Sequence, residues 1–278
     1  MPELPEVETI RQSLRLGTPE QPSILGRKII NAELLWTRSL AEPEPNEFLR
    51  RISGQVVKGV ERRGKFLTLP LSEDWLLVHL RMSGDITVGA IGEPHGTHER
   101  VMFNLEPGWR MAFIDPRKFG RVWLVSDPQK VLGALGPEPF DEKLDDFRFY
   151  QMLHSVNRRL KPTLMDQAFL AGLGNIYTDE ALNRARLHPL ASTSSIMLED
   201  AGRLLRAIRE TLQAAIQRNG TSIDWVYRGG DFQKYLRVYG RKDQACPECG
   251  TPIVKIVVGQ RGTYYCPFCQ VVPEEMRI

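Results

Sequence analysis

The chain has 278 residues, 42% of them apolar, and 37 basic against 34 acidic side chains give a formal charge of +3 and a pI near 8.7. That composition supports two ordinary cores and excludes a disordered chain, while the near balance of charge means that a polyanion could be held only by local clusters of base. No apolar run is long enough to cross a bilayer and no basic leader precedes a hydrophobic stretch, so a soluble cytoplasmic protein is expected.

The first residues, Met1-Pro2-Glu3-Leu4-Pro5-Glu6, put a secondary amine at the terminus once Met1 is removed. Such an amine attacks an aldehyde-like carbon to form an obligatorily cationic Schiff base, a sink for the electrons of an elimination. A frayed end without function is the other reading of these residues, and for chain ends in general the commoner one. Val7, Ile10 and Leu14 then fall at helical spacing with Arg11 and Arg15 between them, and Gly17 closes the run. Pro5 suits the first position of that helix, and Glu6 and Glu8 complement the positive end of its macrodipole. That end disfavours a cationic Pro2 amine whereas Glu3 and Glu6 favour one, which leaves the direction of its pKa shift open.

From Ile24 to Val125 short runs rich in Val, Ile, Leu and Trp, such as Trp75–Leu80, Val101–Leu105 and Val122–Val125, are separated by Gly, Pro and Asp, the pattern of a β-sandwich. Gly133 to Asp146 mixes Gly, Pro and acids without periodicity, as an interdomain linker does. Helical spacing returns from Phe147 to about Asn219, with Leu198, Leu204, Leu205, Ile208, Leu212 and Ile216 on one face and Asn219-Gly220 as the C-terminal stop. The sequence contains no internal repeat, low-complexity tract or heptad pattern.

All four cysteines lie in the last thirty-three residues, as Cys246-Pro-Glu-Cys249 and Cys266-Pro-Phe-Cys269 separated by sixteen residues. Two such knuckles supply four thiolates to one tetrahedral zinc, and four cysteines leave no open position for catalysis, so the metal is structural. Between them Ile253–Val258 and Thr263–Tyr265 read as strands joined by Gly259-Gln260-Arg261-Gly262, a hairpin with Arg261 at its tip. Around Lys161-Pro162 a helical stretch leads to Gly172-Leu173-Gly174-Asn175-Ile176-Tyr177 and a further helix from Asp179 to Arg186. Backbone amides and Asn175 there could receive a phosphate, although a plain helix hairpin fits the spacing equally well.

Base is clustered in Arg62-Arg63-Gly64-Lys65, in Asp115-Pro116-Arg117-Lys118-Phe119-Gly120-Arg121, and in Arg237 with Arg241-Lys242. Each is either a solvated face or a phosphate contact. Met82 and Phe119 accompany turns of this kind, as do the apolar wedges that kink a duplex, whereas spacing alone favours core packing for both. The five histidines, including the pair His95 and His98, form no metal or triad pattern and receive no role.

Together these residues resemble the formamidopyrimidine-DNA glycosylase family, bacterial base-excision repair enzymes, over the whole chain. The resemblance rests on Pro2 to Glu8, Arg63-Gly64-Lys65, His79 to Gly84, Asp115 to Gly120, Gly172 to Tyr177, Val238-Tyr239-Gly240-Arg241 and the cysteine pairs. It implies an α+β fold: a β-sandwich with flanking helices over residues 1–132, a linker over 133–147, a helix-two-turn-helix domain over 148–238 and a zinc-finger β-hairpin over 239–278. It further implies a bifunctional glycosylase and abasic-site lyase that removes ring-opened and oxidised purines from duplex DNA, acting as a monomer on the bacterial nucleoid. In that scheme Pro2 attacks C1′ of a flipped nucleotide and Glu3 is the acid and base. Lys65, Asn175 and Arg261 contact phosphate, Met82, Arg117 and Phe119 fill the vacated space and address the opposite base, and Glu6 belongs to the base pocket.

Leu4 stands where the sister branch resembling endonuclease VIII, which acts on oxidised pyrimidines, has Gly, and this favours the first branch. One departure concerns substrate: Thr221-Ser222 reaches Phe232-Gln233 through only Ile223 to Asp231, shorter than the family loop that covers an oxidised purine. Weaker action on 8-oxoguanine than on formamidopyrimidine or abasic sites is therefore expected. Two other readings satisfy part of the pattern: a catalytically silent DNA-binding zinc protein, and a zinc-stapled protein-interaction module whose affinity for DNA would not fall with salt.

Overall fold

The computed structural model describes residues 1–92, 96–222 and 229–271, so His95 and Ile223 to Arg228 of the short loop lie outside the described residues. The chain divides into two compact units, one of Met1–Ala134 with Asn219–Asp231, the other of Leu135–Arg218 with Phe232–Ile278.

The first unit opens with α1 (Leu4–Leu16), followed by β1 (Ile29–Leu34), β2 (Leu40–Glu42), α2 (Pro45–Ile52), β3 (Glu61–Arg63), β4 (Phe66–Pro70) and β5 (Trp75–His79). It continues with β6 (Asp85–Ala90), β7 (Glu99–Leu105), β8 (Trp109–Ile114), β9 (Arg121–Val125) and the short α3 (Gln129–Leu132). The strands form a four-stranded sheet in the order β1-β7-β8-β6 and a five-stranded one in the order β2-β9-β5-β4-β3, parallel only where β2 meets β9. Residues two apart on each strand share a face, and that alternation makes the core. Leu67 pairs Val78, Leu76 pairs Leu124, Val101 pairs Phe113 and Phe103 pairs Met111, and all eight belong to one buried cluster. The expected sandwich is present, and Val7, Ile10 and Leu14 of α1 add their apolar stripe to the same cluster.

Reading only strands between Ile24 and Val125 overlooks α2. Pro45 at its start supplies a preset φ and lacks only an N–H that no helical partner would accept, and Phe48 and Ile52, one turn apart, are both fully buried. In α1 the first helical residue is Leu4, so Pro5 stands second.

The second unit contains α4 (Asp146–His154), α5 (Leu160–Met165), α6 (Asn175–Ala185), α7 (Leu198–Ile216) and the hairpin of β10 (Val254–Val258) and β11 (Arg261–Tyr265). Leu204, Leu205, Ile208 and Leu212 of α7 are buried at the expected helical spacing, and α7 packs on α4 and α6. The Gly- and Pro-rich stretch before α4 is strapped to α7, because Arg209 donates to the carbonyls of Pro139 (2.7 Å), Asp141 (3.2 Å) and Leu144 (2.6 Å). Beyond α7, Asn219 and Gly220 take the left-handed φ values of 56° and 76° expected at a helix stop. Among the described residues no helix is long and apolar enough to cross a membrane.

Candidate active site

Pro2 and Glu3 are buried at the start of α1, and Glu3 is its N-cap. The Glu6 carboxylate holds this end in place. Its Oε2 accepts the Glu3 N–H at 2.8 Å, while its Oε1 accepts both the N–H (2.8 Å) and the hydroxyl (3.0 Å) of Thr221. Helix N-termini leave amide donors unsatisfied, and a carboxylate also complements the local positive dipole. Gly220 lies so close that a Cβ on it would sit 2.5 Å from Glu6 Oε1. Ser222 then accepts the Gly230 N–H (2.9 Å) and donates to the Gly230 carbonyl (2.7 Å), closing the base of the short loop. A carboxylate 215 residues earlier in the chain thereby joins the candidate nucleophile to that loop's first residues.

Lys65 occupies the second place of the two-residue β3–β4 turn, after Gly64 at φ 57°, and is 5% exposed. Glycine first is the requirement of a type II′ hairpin turn. His79, at the end of β5, pairs with Phe66 beside that turn, and its ring meets the Phe66 ring edge-on at 4.7 Å. Its Nδ1 accepts the Arg81 N–H at 3.0 Å, so the neutral ring carries its proton on Nε2. Burial, then the charges of Arg81 and Lys65, push its pKa down to about 3. The structure therefore adds to the candidate site a neutral N–H donor to which the sequence assigned no role. The available signal was its position on the strand that pairs with the Lys65 turn.

Two further turns form one platform. The Ser83 hydroxyl donates to Asp115 Oδ1 at 2.5 Å, and that carboxylate also accepts the N–H groups of Arg117 (3.2 Å) and Gly120 (2.7 Å). A fully buried carboxylate satisfied in this way fixes the Met82 turn to the Arg117–Phe119 loop. Neither apolar residue belongs to the core cluster: Phe119 is 50% exposed with the Arg117 guanidinium 5.1 Å from its ring centroid, and Met82 is half-buried. Lys118, with φ 61°, lays its ammonium 3.9 Å from the Trp36 ring centroid.

In the second unit Asn175 is the first residue of α6, after Gly174 as N-cap. Its side-chain amide donates to the Gly262 carbonyl at 3.1 Å. The same carbonyl accepts from Lys161 Nζ at 3.2 Å, and Nζ also meets Thr263 Oγ1 (2.8 Å) and Asp179 Oδ1 (2.7 Å). The other Asp179 oxygen accepts the Tyr264 N–H at 2.9 Å. The residues that follow Arg261 are thus bound to α5 and α6 by a fully buried ion pair. Glu180 accepts the N–H groups of Arg237 (2.7 Å), Val238 (3.0 Å) and Tyr239 (2.8 Å), which holds the segment before the hairpin to α6.

The hairpin turn differs in register from its sequence reading. Gly259 and Gln260 alone form it, both with positive φ (55° and 62°) as a type I′ turn demands, and exposed Arg261 is the first residue of β11, opposite Val258. The basic clusters separate into two kinds. Arg62 bonds Glu8 and the Gly64 carbonyl, and Arg241 bonds the carbonyls of Leu236, Arg237 and Ala245, so both knit the backbone, whereas Arg117 and Arg261 face outward.

The sulfurs of Cys246, Cys249, Cys266 and Cys269 all lie within 4.8 Å of one another. Cys246 and Cys269 are 4.0 Å apart, and Cys249 lies 3.5 Å from both Cys266 and Cys269. Tetrahedral zinc with bonds of about 2.3 Å sets sulfurs roughly 3.8 Å apart, so the group fits one structural zinc.

Comparison with known proteins gives three family matches in chain order: the formamidopyrimidine-DNA glycosylase N-terminal domain over residues 1–122, the H2TH domain of the same glycosylase over residues 135–226, and the zinc finger found in FPG and IleRS over residues 243–271. Formamidopyrimidine-DNA glycosylase of Pelotomaculum thermopropionicum is 43% identical, covering 98% of this chain and 100% of its own; that of Enterococcus faecalis is 40% identical, covering 97% of each. A complex of the Lactococcus lactis protein with abasic-site DNA matches at a TM-score of 0.89 and 34% identity, covering 97% of this chain and 100% of that one. A complex of a MutM protein with DNA carrying carbocyclic 8-oxo-G matches at 0.89 and 36% identity, over 98% of this chain and 100% of that one.

Proposed function

The chain belongs to the formamidopyrimidine-DNA glycosylase family, and on that premise we propose that it is a bifunctional DNA glycosylase and abasic-site lyase acting on damaged duplex DNA. The observation that carries the reading is the anchored terminus: a proline beside a buried acid, fixed by a carboxylate with three backbone and hydroxyl donors. A frayed end needs no such anchor.

Once Met1 is removed, the Pro2 nitrogen is a secondary amine with a lone pair; while Met1 is attached it is a tertiary amide and inert. The amine attacks C1′ of a nucleotide flipped from the stack, the C1′–N bond breaks, and the base leaves with a proton. Glu3 donates a proton to open the sugar ring and takes one from C2′. The cationic Schiff base accepts the electron pair of that C–H bond as the 3′-phosphate leaves in β-elimination, and δ-elimination then expels the 5′-phosphate. Hydrolysis of the remaining Schiff base releases the sugar fragment and regenerates the amine. Lys65, Asn175 and Arg261 hold phosphates beside the lesion. Met82, Arg117 and Phe119 enter the vacated space, a role suited to an exposed ring backed by a guanidinium. Glu6 borders the base pocket in addition to anchoring α1.

Solved relatives hold DNA with Fapy-dG, abasic sites and 8-oxo-G, and the short segment after Ser222 favours the first two here. Zinc holds the hairpin that carries Arg261 and takes no part in the chemistry, since four thiolates fill its coordination sphere. The working form is a monomer on the DNA of a bacterial cytoplasm.

Borohydride reduction tests the mechanism. Met1-processed protein is expected to give a covalent adduct with abasic duplex DNA, and protein that retains Met1 none. Equal trapping by both, or by neither, refutes Pro2 as the nucleophile. A panel of duplexes differing only in the lesion tests substrate choice, and equal rates on 8-oxoguanine and formamidopyrimidine would refute the order given.

A further inference from the structure

The proposed reaction requires two groups on different elements to address one nucleotide: the Pro2 amine at the start of α1 must reach C1′ while Lys65, at the β3–β4 turn, holds an adjoining phosphate. The length of the sugar-phosphate link fixes the separation that the protein must match. A side-chain connection spans this gap. Glu8, one and a half turns along α1 from Glu3, accepts Arg62 Nε at 3.1 Å, and the same guanidinium donates through Nη1 to the Gly64 carbonyl at 3.2 Å. That carbonyl belongs to the peptide joining Gly64 to Lys65.

We propose that Glu8 and Arg62 are positioning residues that set the Lys65 turn against the nucleophile helix; the inference rests on the Schiff-base reading above. Arg62 suits the task because a planar guanidinium can serve a carboxylate and a carbonyl at once in fixed directions, which a lysine ammonium cannot do. Glu8 is itself immobilised. Arg11 donates to both of its oxygens (3.0 Å each from Nε, 2.6 Å from Nη2 to Oε1), and Gln12 adds a bond at 3.0 Å. Burial alone would raise the Glu8 pKa, but the bonds from Arg11 and Gln12 and the charges of Arg11 and Arg62 hold it below the usual carboxylate range. Side chains of Arg62 and Glu8 are 12% and 13% exposed, which limits screening by salt. Moreover, Gly64 sits at φ 57°, so the peptide held by Arg62 is the one whose orientation decides where the turn points Lys65.

The experiment is single-turnover borohydride trapping at saturating abasic DNA, with Met1-processed wild type, R62M, R62K, K65M and R62M/K65M. A misplacement of about 1 Å in a reacting group costs up to roughly a hundredfold in rate, so R62M is expected to lose about tenfold or more. R62K, which keeps the ion pair but not the fork, should recover part of that loss. If Arg62 acts through Lys65, the double variant traps no more slowly than K65M alone. Additive losses in the double variant overturn the proposal, as does an R62M rate within twofold of wild type with only the melting temperature reduced. A change confined to DNA affinity, with the saturated rate intact, would make Arg62 a DNA ligand and overturn it as well. Failure of wild type itself to trap would instead refute the Schiff-base reading, so the two failures are distinguishable.

Discussion

Lys161→Met isolates the device that holds Arg261 in place. Lys161 and Asp179 side chains are 1% and 0% exposed; Nζ lies 2.7 Å from Asp179 Oδ1 and donates to Thr263 Oγ1 and the Gly262 carbonyl at 2.8 and 3.2 Å. Removing Lys161 leaves the Asp179 carboxyl buried without its counter-charge, which costs about 3–5 kcal/mol, or a melting temperature lower by about 10–15 °C in a unit of this size. The loss should depend on pH in a definite direction. Burial pushes the Asp179 carboxyl up to about 7 even with Lys161 beside it, so wild-type stability falls between the ordinary carboxylate range and that value and levels off above it. Without the ammonium the pKa rises further, and the variant goes on losing about 1.4 kcal/mol per pH unit above 7 until its own carboxyl ionises. Urea unfolding of the zinc-loaded protein at pH 6 and pH 8.5 measures both quantities. K161M/D179L, which replaces the pair with apolar groups, should regain most of the stability. A K161M loss below about 1 kcal/mol at pH 8.5, or an equal loss at both pH values, would show that water reaches the pair and that the anchor is not a buried charge.

Three other expectations follow from the same geometry. Gly220→Ala forces a side chain into φ 76° and against the Glu6 carboxylate, whose three hydrogen bonds prevent it from yielding; a loss of about 1–3 kcal/mol with slower borohydride trapping is expected, and normal trapping would refute the anchoring role of Glu6. His79, held neutral down to about pH 3, should make the protein lose stability as pH falls below 6.5, by about 2 kcal/mol at pH 5, because the unfolded ring gains a proton that the folded one refuses. H79Q should flatten that slope, and superimposable urea midpoints from pH 5 to 7 would exclude the effect. Chelation should release one zinc, melt the β10–β11 hairpin and weaken DNA binding about tenfold to a hundredfold, the worth of one charge-assisted phosphate contact; unchanged affinity in the metal-free protein would remove Arg261 from the interface.

Legibility followed the range of the interaction. The strands could be read because alternate residues such as Leu67 and Leu69, or Val122 and Leu124, must face one core, and that demand is written at a period of two. The zinc site was legible because two residues between cysteines is a constraint of the metal. By contrast, α2 is a two-turn helix inside a β region, with only Phe48, Leu49 and Ile52 to mark its face. The Ser83–Asp115 and Glu6–Thr221 bonds join residues 32 and 215 positions apart, and no local pattern encodes them. Clusters of base posed a different problem: Arg62 and Arg117 look alike in sequence, yet one spends its donors on a carboxylate and a backbone carbonyl and the other faces solvent. His79 went unassigned because a lone histidine at a strand end has no motif of its own, and its meaning comes from the Lys65 turn that the sheet register places beside it.

The proposed nucleophile, Pro2, is buried at the start of α1, and the contacts around it must offset the cost of ordering that end. Ordering each terminal residue costs about 1–2 kcal/mol of backbone entropy, and a chain end has covalent restraint on one side only. Hydrogen bonds to a charged group contribute about 1.5–3 kcal/mol each, enough for the Glu6 carboxylate to offset the ordering of Pro2 and Glu3, with Leu4 and Val7 fully buried immediately after them. Because two of those bonds come from Thr221 rather than from within α1, the order of the terminus is coupled to that of Asn219 to Ser222. On the proposed mechanism, the reaction centre is completed by residues from two distant parts of the sequence. Thr221→Val, which removes the hydroxyl but keeps the N–H, should therefore slow trapping while leaving the β-sandwich itself folded.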